Sequence, residues 1–296
     1  MLNPIKKIRP FFDSIFEKYF YKISYNQKLV WLQDKILHDK SLGISKEKIA
    51  DKEVIVSLTT YGERYNQVYI TIESLMQQTI KANRIILWLD NSFMDKPLLP
   101  ILKRQTERGL EIRYCKDLGS YKKLIPALKE FPESIIITTD DDVIYNIRMI
   151  EKLVNAYNNN PHFIYCNRMH RIKLGDSGVL PYREWEKGIL DVKQNILNFP
   201  VGIGGILYPP YCFNDEIFNE EFFLKNCPNG DDIWFKAMAL LNNFQAKKAE
   251  VSFTQDDYWE NDILSPRGLQ KENVEKNLND IKFKNVFNSY LKNILK

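Results

Sequence analysis

Short runs of apolar and β-branched residues alternate with stretches of helical periodicity over the first half of the chain, and this alternation constrains the fold most. The apolar runs are 54–58, 84–90, 111–114 and 135–138. Strands that alternate with helices form βαβ units, whose strands are parallel and whose crossovers are right-handed. We therefore predict an α/β fold with a Rossmann-like, mostly parallel sheet flanked by helices.

The fourth run leads through Thr139 into three adjacent carboxylates, Asp140, Asp141 and Asp142. Such a strand is typical of the centre of an open α/β sheet, where ligands bind at the carboxyl ends of the strands. Adjacent carboxylates repel one another, so they need bulk water or a bridging cation, and their oxygens suit Mg²⁺, Mn²⁺ or Ca²⁺. A solvated acidic turn is the alternative, although the apolar strand favours the rim of a core.

Composition limits the classes of protein. The 296 residues are 44% hydrophobic and 27% charged, which predicts one large domain with appendages and argues against disorder. A net charge of +4 does not indicate nucleic-acid binding, but it fits contact with anionic phosphates or lipids. The four cysteines lack zinc-site or disulfide spacing, and no apolar run is long enough to span a membrane. We expect a cytoplasmic protein, at most peripheral to a membrane.

The first part of the chain, residues 1–52, differs from the rest. Its apolar residues recur at helical spacing among lysines and arginines; they are Ile8, Phe11, Phe12, Ile15, Phe16, Tyr19 and Phe20. We predict an amphipathic helical extension, with a linker near 39–51, that suits peripheral contact of residues 1–50 with an anionic membrane. Packing on the main domain or on a second subunit is the alternative. The main domain is expected over 53–255, with halves 53–145 and 146–255, before a helical segment over 256–296.

Five segments resemble, in this order, the GT-A glycosyltransferases, in particular bacterial enzymes that build capsular or lipopolysaccharide sugars. They are SLTTYGER (57–64), SYKKLIPAL (120–128), IITTDDDVIY (136–145), GIGGILYPP (202–210) and DDIWFKAM (231–238). Each segment is a weak signal, but their order and spacing are specific. The resemblance implies a GT-A fold from about Val54 to Phe253. It also implies transfer of a hexose from a nucleotide sugar, with UDP favoured, to a glycan or lipid-linked acceptor in surface polysaccharide synthesis.

In that family an Asp-x-Asp motif at the end of a central strand holds a divalent ion on the diphosphate of the sugar nucleotide. The resemblance therefore implies Mn²⁺ or Mg²⁺ as the cofactor. Asp142 is the first choice as metal ligand, Asp140 points to the ribose or the ion, and Asp141 lies in the nucleotide site. A cation there would stabilise the charge that the leaving diphosphate gains in the transition state.

Three groups upstream suit nucleotide recognition. They are Thr59, Thr60, Tyr61 and Arg64 in the loop after the first strand, Asp90 at the end of the second strand, and Lys122 and Lys123 in the segment before the acids. The loop residues suit the base and ribose, Asp90 can accept the N3 hydrogen of uracil, and one lysine can meet a phosphate. A turn-forming role for Asp90 and a solvated helix face for the lysines remain alternatives.

A second acidic pair, Asp231 and Asp232, opens an apolar helix. The helix dipole favours carboxylates in a first turn, which explains one of them. In inverting GT-A enzymes an acid at such a helix start deprotonates the acceptor hydroxyl, so the resemblance implies Asp231 or Asp232 as the base, with Asp232 preferred. Gly204 and Gly205 would let the backbone approach the donor sugar or the acceptor.

The region between the two acidic clusters supplies predicted residues of an acceptor cleft, namely Arg168, His170, Tyr182 and Trp185, although core packing explains the aromatic ones equally well. One departure concerns the metal. Many GT-A enzymes add a C-terminal histidine ligand, whereas no histidine follows Asp232 here. Asp256, Asp257 or water is left to complete the metal shell.

Three other functions are alternatives. A nucleotidyltransferase that forms sugar nucleotides needs a glycine-rich phosphate loop, but the loop after the first strand has only Gly62. A haloacid-dehalogenase-type phosphatase places its nucleophilic aspartate on the first strand, whereas these acids follow the fourth. A non-catalytic sugar- or metal-binding partner of an assembly complex is the third. Two acidic clusters at one predicted cleft favour an enzyme.

Overall fold

The computed structural model describes residues 5–176, 178–251, 257–260 and 277–292, with the backbone alone for 5–18. The chain divides into two compact units, Met1–Lys40 and Ser41–Lys296. The first unit contains helix α1 (Ile5–His38), in which the Lys28 ammonium lies 4.1 Å from the centre of the Trp31 ring. None of the described helices combines the length and apolar character needed to cross a membrane.

The second unit is built from alternating strands and helices. Its described helices are α2 (Val68–Met76), α3 (Pro100–Thr106), α4 (Ile125–Glu130), α5 (Met149–Asn159), α6 (Glu220–Asn226), α7 (Asp231–Leu241) and α8 (Leu278–Val286). Its described strands are β1 (Val54–Thr59), β2 (Arg84–Asp90), β3 (Leu110–Cys115), β4 (Ile135–Thr138), β5 (Val143–Tyr145), β6 (Phe163–Cys166), β7 (Met169–Arg171), β8 (Leu174–Gly175), β9 (Gly178–Val179), β10 (Asn198–Pro200), β11 (Ile206–Tyr208), β12 (Gln245–Lys248) and β13 (Tyr258–Glu260).

The main sheet has seven strands in the order β12-β6-β11-β4-β1-β2-β3. All neighbouring pairs are parallel except those of β11, which runs antiparallel to β4 and to β6. The prediction of a mostly parallel α/β sheet flanked by helices is therefore confirmed. Because β11 is reversed, its amino end meets the carboxyl ends of β6, β4, β1, β2 and β3. We call this side of the sheet the carboxyl edge.

Both faces of the sheet are covered, which explains why the strands read as continuous apolar runs rather than alternating ones. Ile55 and Ile136 belong to the hydrophobic cluster on one face, whereas Val56 and Ile137 belong to the cluster on the other. Since every residue of β4 is buried, the first polar group that this central strand can present lies beyond its end.

Some predicted elements differ from the structure. The lysine-rich helix is a 3₁₀ turn over Gly119–Lys123 followed by α4, because Pro126 has no N–H to donate to the preceding turn. Glu250 and Val251 lie after β12 and outside any described strand. Within the helical segment predicted over 256–296, the structure describes β13 (Tyr258–Glu260) and α8 from Leu278.

The segment after α1 belongs to the second unit. The Gly43 N–H donates to the Arg108 carbonyl and the Ser45 N–H to the Ala82 carbonyl, each at 2.8 Å. The unit boundary at Lys40 therefore precedes the domain boundary at 52 that the polar composition predicts. Backbone hydrogen bonds thus hold polar residues of this segment on the second unit.

Candidate active site

The acidic triplet forms the turn between β4 and β5, at the centre of the carboxyl edge. The Asp140 N–H donates to the Tyr145 hydroxyl at 2.9 Å, and the Thr71 hydroxyl donates to the Asp141 carbonyl at 2.9 Å. These bonds fix the backbone of the turn from both sides. The three carboxylates consequently leave the sheet in defined and different directions.

Asp141 points inward, beneath the loop that follows β1. Its carboxylate accepts hydrogen bonds from the Thr60 hydroxyl at 2.6 Å and from Arg64 Nη1 at 2.9 Å. Burial raises the pKa of Asp141 to about 6, although Arg64 and Thr60 oppose the shift. The second guanidinium nitrogen, Nη2, lies 3.0 Å from the Asp142 carboxylate. Arg64 therefore links the loop after β1 to two of the three acids.

Lys123 joins the two acidic clusters. Its ammonium lies 2.8 Å from the Asp140 carboxylate and 2.7 Å from the Asp231 carboxylate. Burial alone would lower the pKa of Lys123, but these carboxylates outweigh it and raise the pKa well above its ordinary value. The carboxyl end of β4 and the start of α7 are thus held together by a buried cation.

The neighbouring Lys122 points elsewhere, because successive residues of a 3₁₀ turn lie about a third of a turn apart. Its buried ammonium lies 2.8 Å from the Asp117 carboxylate and 3.7 Å from that of Asp90. The Asp90 carboxylate also accepts the Ser92 N–H at 2.9 Å. Asp90 and Lys122 therefore meet at the β2 end of the edge, as a fixed acceptor beside a cation.

The second acidic pair forms the first turn of α7, and its two members lie in different surroundings. The Gly202 N–H donates to Asp232 Oδ2 at 3.0 Å, and Asp232 Oδ1 is enclosed without a hydrogen bond from any described residue. Burial and the neighbouring Asp231 raise the pKa of Asp232 to about 7. Burial would also raise the pKa of Asp231, but Lys123 outweighs it and lowers that pKa. Asp231 is thus a fixed anion, and Asp232 can exchange a proton near neutral pH.

Gly202 is a site residue that the sequence did not single out. A Cβ at this position would lie 2.9 Å from Asp232 Oδ1 and 3.0 Å from Lys123 Nζ. The two predicted glycines have packing roles instead. A Cβ on Gly204 would lie 2.7 Å from the backbone nitrogen of Arg168. Gly205 adopts a φ of +83°, a conformation that glycine tolerates best. The sequence of residues 202–205, GIGG, does not indicate which glycine lies in the site and which ones are needed for packing.

His170 and Trp185 lie in the core, which corrects their predicted place in the acceptor cleft. His170 Nδ1 accepts the Gly188 N–H at 3.1 Å, and burial lowers the pKa of His170 to about 4. The buried Trp185 donates its indole N–H to the Leu180 carbonyl at 2.8 Å and packs edge-on against Phe199. The alternative of core packing therefore applies to Trp185.

The remaining predicted residues lie in different surroundings: one within the sheet, one exposed at the loop and one buried against lysines. The Thr59 hydroxyl donates to the Trp88 carbonyl at 2.9 Å within the sheet, so it stabilises β1. Tyr61 is 48% exposed and lies beside the Arg64 guanidinium, at the mouth of the loop. Asp257 is buried, with Lys152 Nζ at 2.9 Å and Lys248 Nζ at 3.9 Å, which argues against a metal-binding role. Asp256 lies outside the described residues.

Arranged by strand, these side chains follow one line across the carboxyl edge. Arg168 follows β6, Gly202 precedes β11 and holds Asp232, and the acidic triplet follows β4. The loop with Thr60 and Arg64 follows β1, and Asp90 ends β2. The base candidate therefore lies between the Arg168 side and the acidic triplet.

Comparison of the sequence with known protein families identifies the family to which the chain belongs. The sequence profile named "Glycosyl transferase family 2" matches residues 55–207, just over half of the chain. The chain belongs to glycosyl transferase family 2. This membership favours a GT-A fold and a glycosyltransferase domain over the nucleotidyltransferase and phosphatase alternatives.

Solved structures that resemble this chain include TarS and a mannosyltransferase. The crystal structure of S. aureus TarS 1-349 in complex with UDP has 15% sequence identity and a TM-score of 0.46 over 70% of this chain and 59% of that chain. The mannosyltransferase PcManGT from Pyrobaculum calidifontis, in complex with GDP-Man and Mn²⁺, has 13% identity and a TM-score of 0.43 over 76% of this chain and 62% of that chain. This family 2 chain thus spans less than two thirds of either one. No curated protein matches the sequence.

The carboxylate oxygens of the acidic triplet fit a divalent ion whose other ligands come from a diphosphate. Among the described residues, no group of three or more acidic, histidine or cysteine side chains could hold an ion by itself. Within the described part of the chain, five carboxylates gather around the cations Arg64 and Lys123: Asp140, Asp141, Asp142, Asp231 and Asp232. Mg²⁺ commonly takes one or two carboxylates and completes its shell from substrate phosphates and water. Asp142 and Asp140 are the residues of this family 2 chain that would hold it.

Proposed function

We propose that this glycosyltransferase moves a hexose from a nucleotide sugar, with UDP as the expected nucleotide, to a hydroxyl of a glycan or lipid-linked acceptor in surface polysaccharide synthesis. The observation that carries the proposal is the placement of Asp232. Its carboxylate has a pKa near neutral, is oriented by the Gly202 N–H, and is joined through Asp231 and Lys123 to the acidic triplet. A proton acceptor thus lies beside a site suited to a diphosphate.

The nucleotide sugar is expected to lie along the β2, β1 and β4 ends of the carboxyl edge, with its uracil ring at β2 and its diphosphate at β4. Asp90 accepts the imide hydrogen of uracil, with Lys122 beside it, and the loop with Thr60 and Arg64 lies one strand further on, where the ribose follows. Asp142 and Asp140 would hold Mg²⁺ or Mn²⁺, and the ion would supply positive charge to offset the charge that the leaving diphosphate gains. Lys123 adds a fixed positive charge on the same side, since it already contacts Asp140.

The acceptor half completes a single displacement. The acceptor hydroxyl oxygen forms a bond to the anomeric carbon while the bond from that carbon to the diphosphate oxygen breaks, and its proton passes to the Asp232 carboxylate. The electron pair of the broken bond leaves with the diphosphate, and the anomeric configuration is inverted. Asp231 stays ionised against Lys123, so the proton has one acceptor in this pair rather than two.

A panel of sugar nucleotides tests this function. Intact protein is incubated with UDP-, GDP-, CMP- and dTDP-sugars and a divalent ion, and the released nucleotide is measured. We expect release from a UDP-hexose, abolished by chelation of the ion. Release from none of the donors by a folded protein would contradict the proposal.

We also propose that the protein is cytoplasmic and that α1 touches the inner face of an anionic membrane. Tyr19, Phe20, Val30 and Leu37 are each more than half exposed on this helix, among lysines. Full-length protein should sediment with phosphatidylglycerol vesicles, and the double substitution Phe20→Glu, Val30→Glu should weaken partitioning by at least about tenfold, since each buried apolar side chain contributes about 1.5–3 kcal/mol. Leu174→Glu, an exposed apolar residue of the second unit, is the control. Equal partitioning of all three proteins would defeat the membrane proposal.

A further inference from the structure

Arg168 is a largely enclosed cation with few hydrogen-bond partners. Its side chain is 21% exposed, its Nη1 contacts the Tyr258 hydroxyl, and its Nη1 lies 3.9 Å from Glu260 Oε1. Its Nε is enclosed and has no partner among the described residues. A guanidinium carries five N–H donors, and a buried donor without an acceptor is destabilising. The site therefore holds hydrogen-bonding capacity that the described chain does not use.

Other arginines of the same unit are committed to carboxylates. Arg64, Arg84, Arg108 and Arg171 each have a guanidinium nitrogen within 3.0 Å of an aspartate or glutamate oxygen. Arg168 has Glu260 only at 3.9 Å, and that carboxylate is 45% exposed. Since a planar guanidinium matches the two oxygens of a carboxylate or phosphate, an anion is the partner that best fits this geometry.

The backbone of Arg168 is fixed against the loop that orients the base. The Val201 N–H donates to the Arg168 carbonyl at 3.1 Å, and Gly204 packs on the Arg168 backbone. The same loop holds Asp232 through Gly202.

The position in the sheet places the Arg168 backbone on the Asp232 side of β4. Arg168 follows β6, two strands from β4, whereas Asp90 and the loop after β1 lie on the other side of β4. Its guanidinium reaches Tyr258 and Glu260 of β13, which pairs with β5. Because the loop that fixes the Arg168 backbone also holds Asp232 through Gly202, a ligand of Arg168 is assigned to the acceptor side of Asp232.

We propose that Arg168 binds an anionic group of the acceptor, a carboxylate or a phosphate, next to the hydroxyl that Asp232 deprotonates. The acceptor class is then an acidic sugar or a sugar or polyol phosphate rather than a neutral glycan. The inference rests on the proposed function for the role of Asp232, but binding of the anion requires neither a donor nor turnover.

Binding of small anions to the full-length protein tests the proposal. The probes are methyl glucuronide against methyl glucoside, and glycerol 3-phosphate against glycerol, each titrated by calorimetry or by ligand-observed NMR without nucleotide. We expect one anion to bind at least about tenfold more tightly than its neutral counterpart, as a charge-assisted hydrogen bond implies. The pair that shows this preference identifies a carboxylate or a phosphate as the recognised group.

Three variants separate the possible causes. Arg168→Gln should remove the preference for the anion, Arg168→Lys should keep part of it, and Arg183→Gln, whose parent side chain is 72% exposed, should keep all of it. Equal binding of the anion and neutral probes, or a preference that survives Arg168→Gln, would overturn the proposal. A tenfold loss of UDP affinity in Arg168→Gln would place the guanidinium on the donor diphosphate and overturn the acceptor assignment. Failure of UDP to bind the wild-type protein would instead count against the proposed function.

Discussion

Replacing Asp232 with asparagine is expected to lower turnover by about 10²–10⁴-fold while leaving UDP affinity within about twofold of wild type. Asparagine retains an oxygen that can accept the Gly202 N–H, so the geometry is preserved, but it cannot take up the acceptor proton. Initial rates and UDP titrations measure the two effects. Asp215→Asn, in an exposed 3₁₀ turn of the same unit, is the control and should retain both properties. Wild-type turnover in Asp232→Asn would remove this residue as the base.

The wild-type pH profile gives a second measurement of the same prediction. Only the ionised form of Asp232 can accept a proton, and its pKa is raised to about 7 by burial and by Asp231. We therefore expect kcat/KM to rise about tenfold per pH unit below pH 7 and to level off above it. The rise in kcat/KM below pH 7 should be absent from the pH profile of the residual activity of Asp232→Asn. A profile that is already flat at pH 5.5 would contradict the assignment.

Replacing Asp142 with asparagine is expected to lower turnover by at least about 100-fold at a fixed Mn²⁺ concentration and to raise the concentration for half-maximal activity. The variant keeps an oxygen near Arg64 but loses one of the two carboxylate charges that would hold the ion. Initial rates measured against Mn²⁺ and Mg²⁺ concentration give both quantities.

The adjacent Asp141 supplies the matched control. It is buried against Thr60 and Arg64, so Asp141→Asn should lower the melting temperature while the half-saturating metal concentration stays within about twofold of wild type. The two variants remove the same charge from neighbouring positions and should have different effects. An unaltered metal response in Asp142→Asn, or an equal shift in both variants, would contradict the role of Asp142.

The sequence predicted the sheet because its strands are buried on both faces. Continuous apolar runs mark such strands, and β2 begins and ends at the predicted residues, Arg84 and Asp90. The antiparallel direction of β11 could not be predicted from the sequence, because Ile206–Tyr208 is a continuous apolar run like those of the parallel strands. The placement of polar groups at strand ends was predictable, because a chain that leaves a buried strand reaches solvent at the edge.

Side-chain direction was not predictable. Lys122 and Lys123 look equivalent in the sequence, but the 3₁₀ turn that Pro126 imposes sends one to Asp117 and the other to Asp140. The enclosed His170 and the under-bonded Arg168 stand two residues apart and also look alike as polar groups near a cleft. Only the packing around each side chain separates a core residue from one with unused hydrogen-bond donors.

Calorimetric titration of the intact wild-type protein with UDP, in the presence of Mn²⁺ and again in the presence of a chelator, tests the central claim most directly. The claim is that the carboxyl edge of this sheet holds a nucleotide diphosphate through a divalent ion at the acidic triplet. We predict saturable binding of UDP with Mn²⁺ and affinity at least about tenfold weaker in the chelator. A protein shown to be folded by circular dichroism that binds no UDP with Mn²⁺ present, or binds it equally well without the ion, would contradict the account.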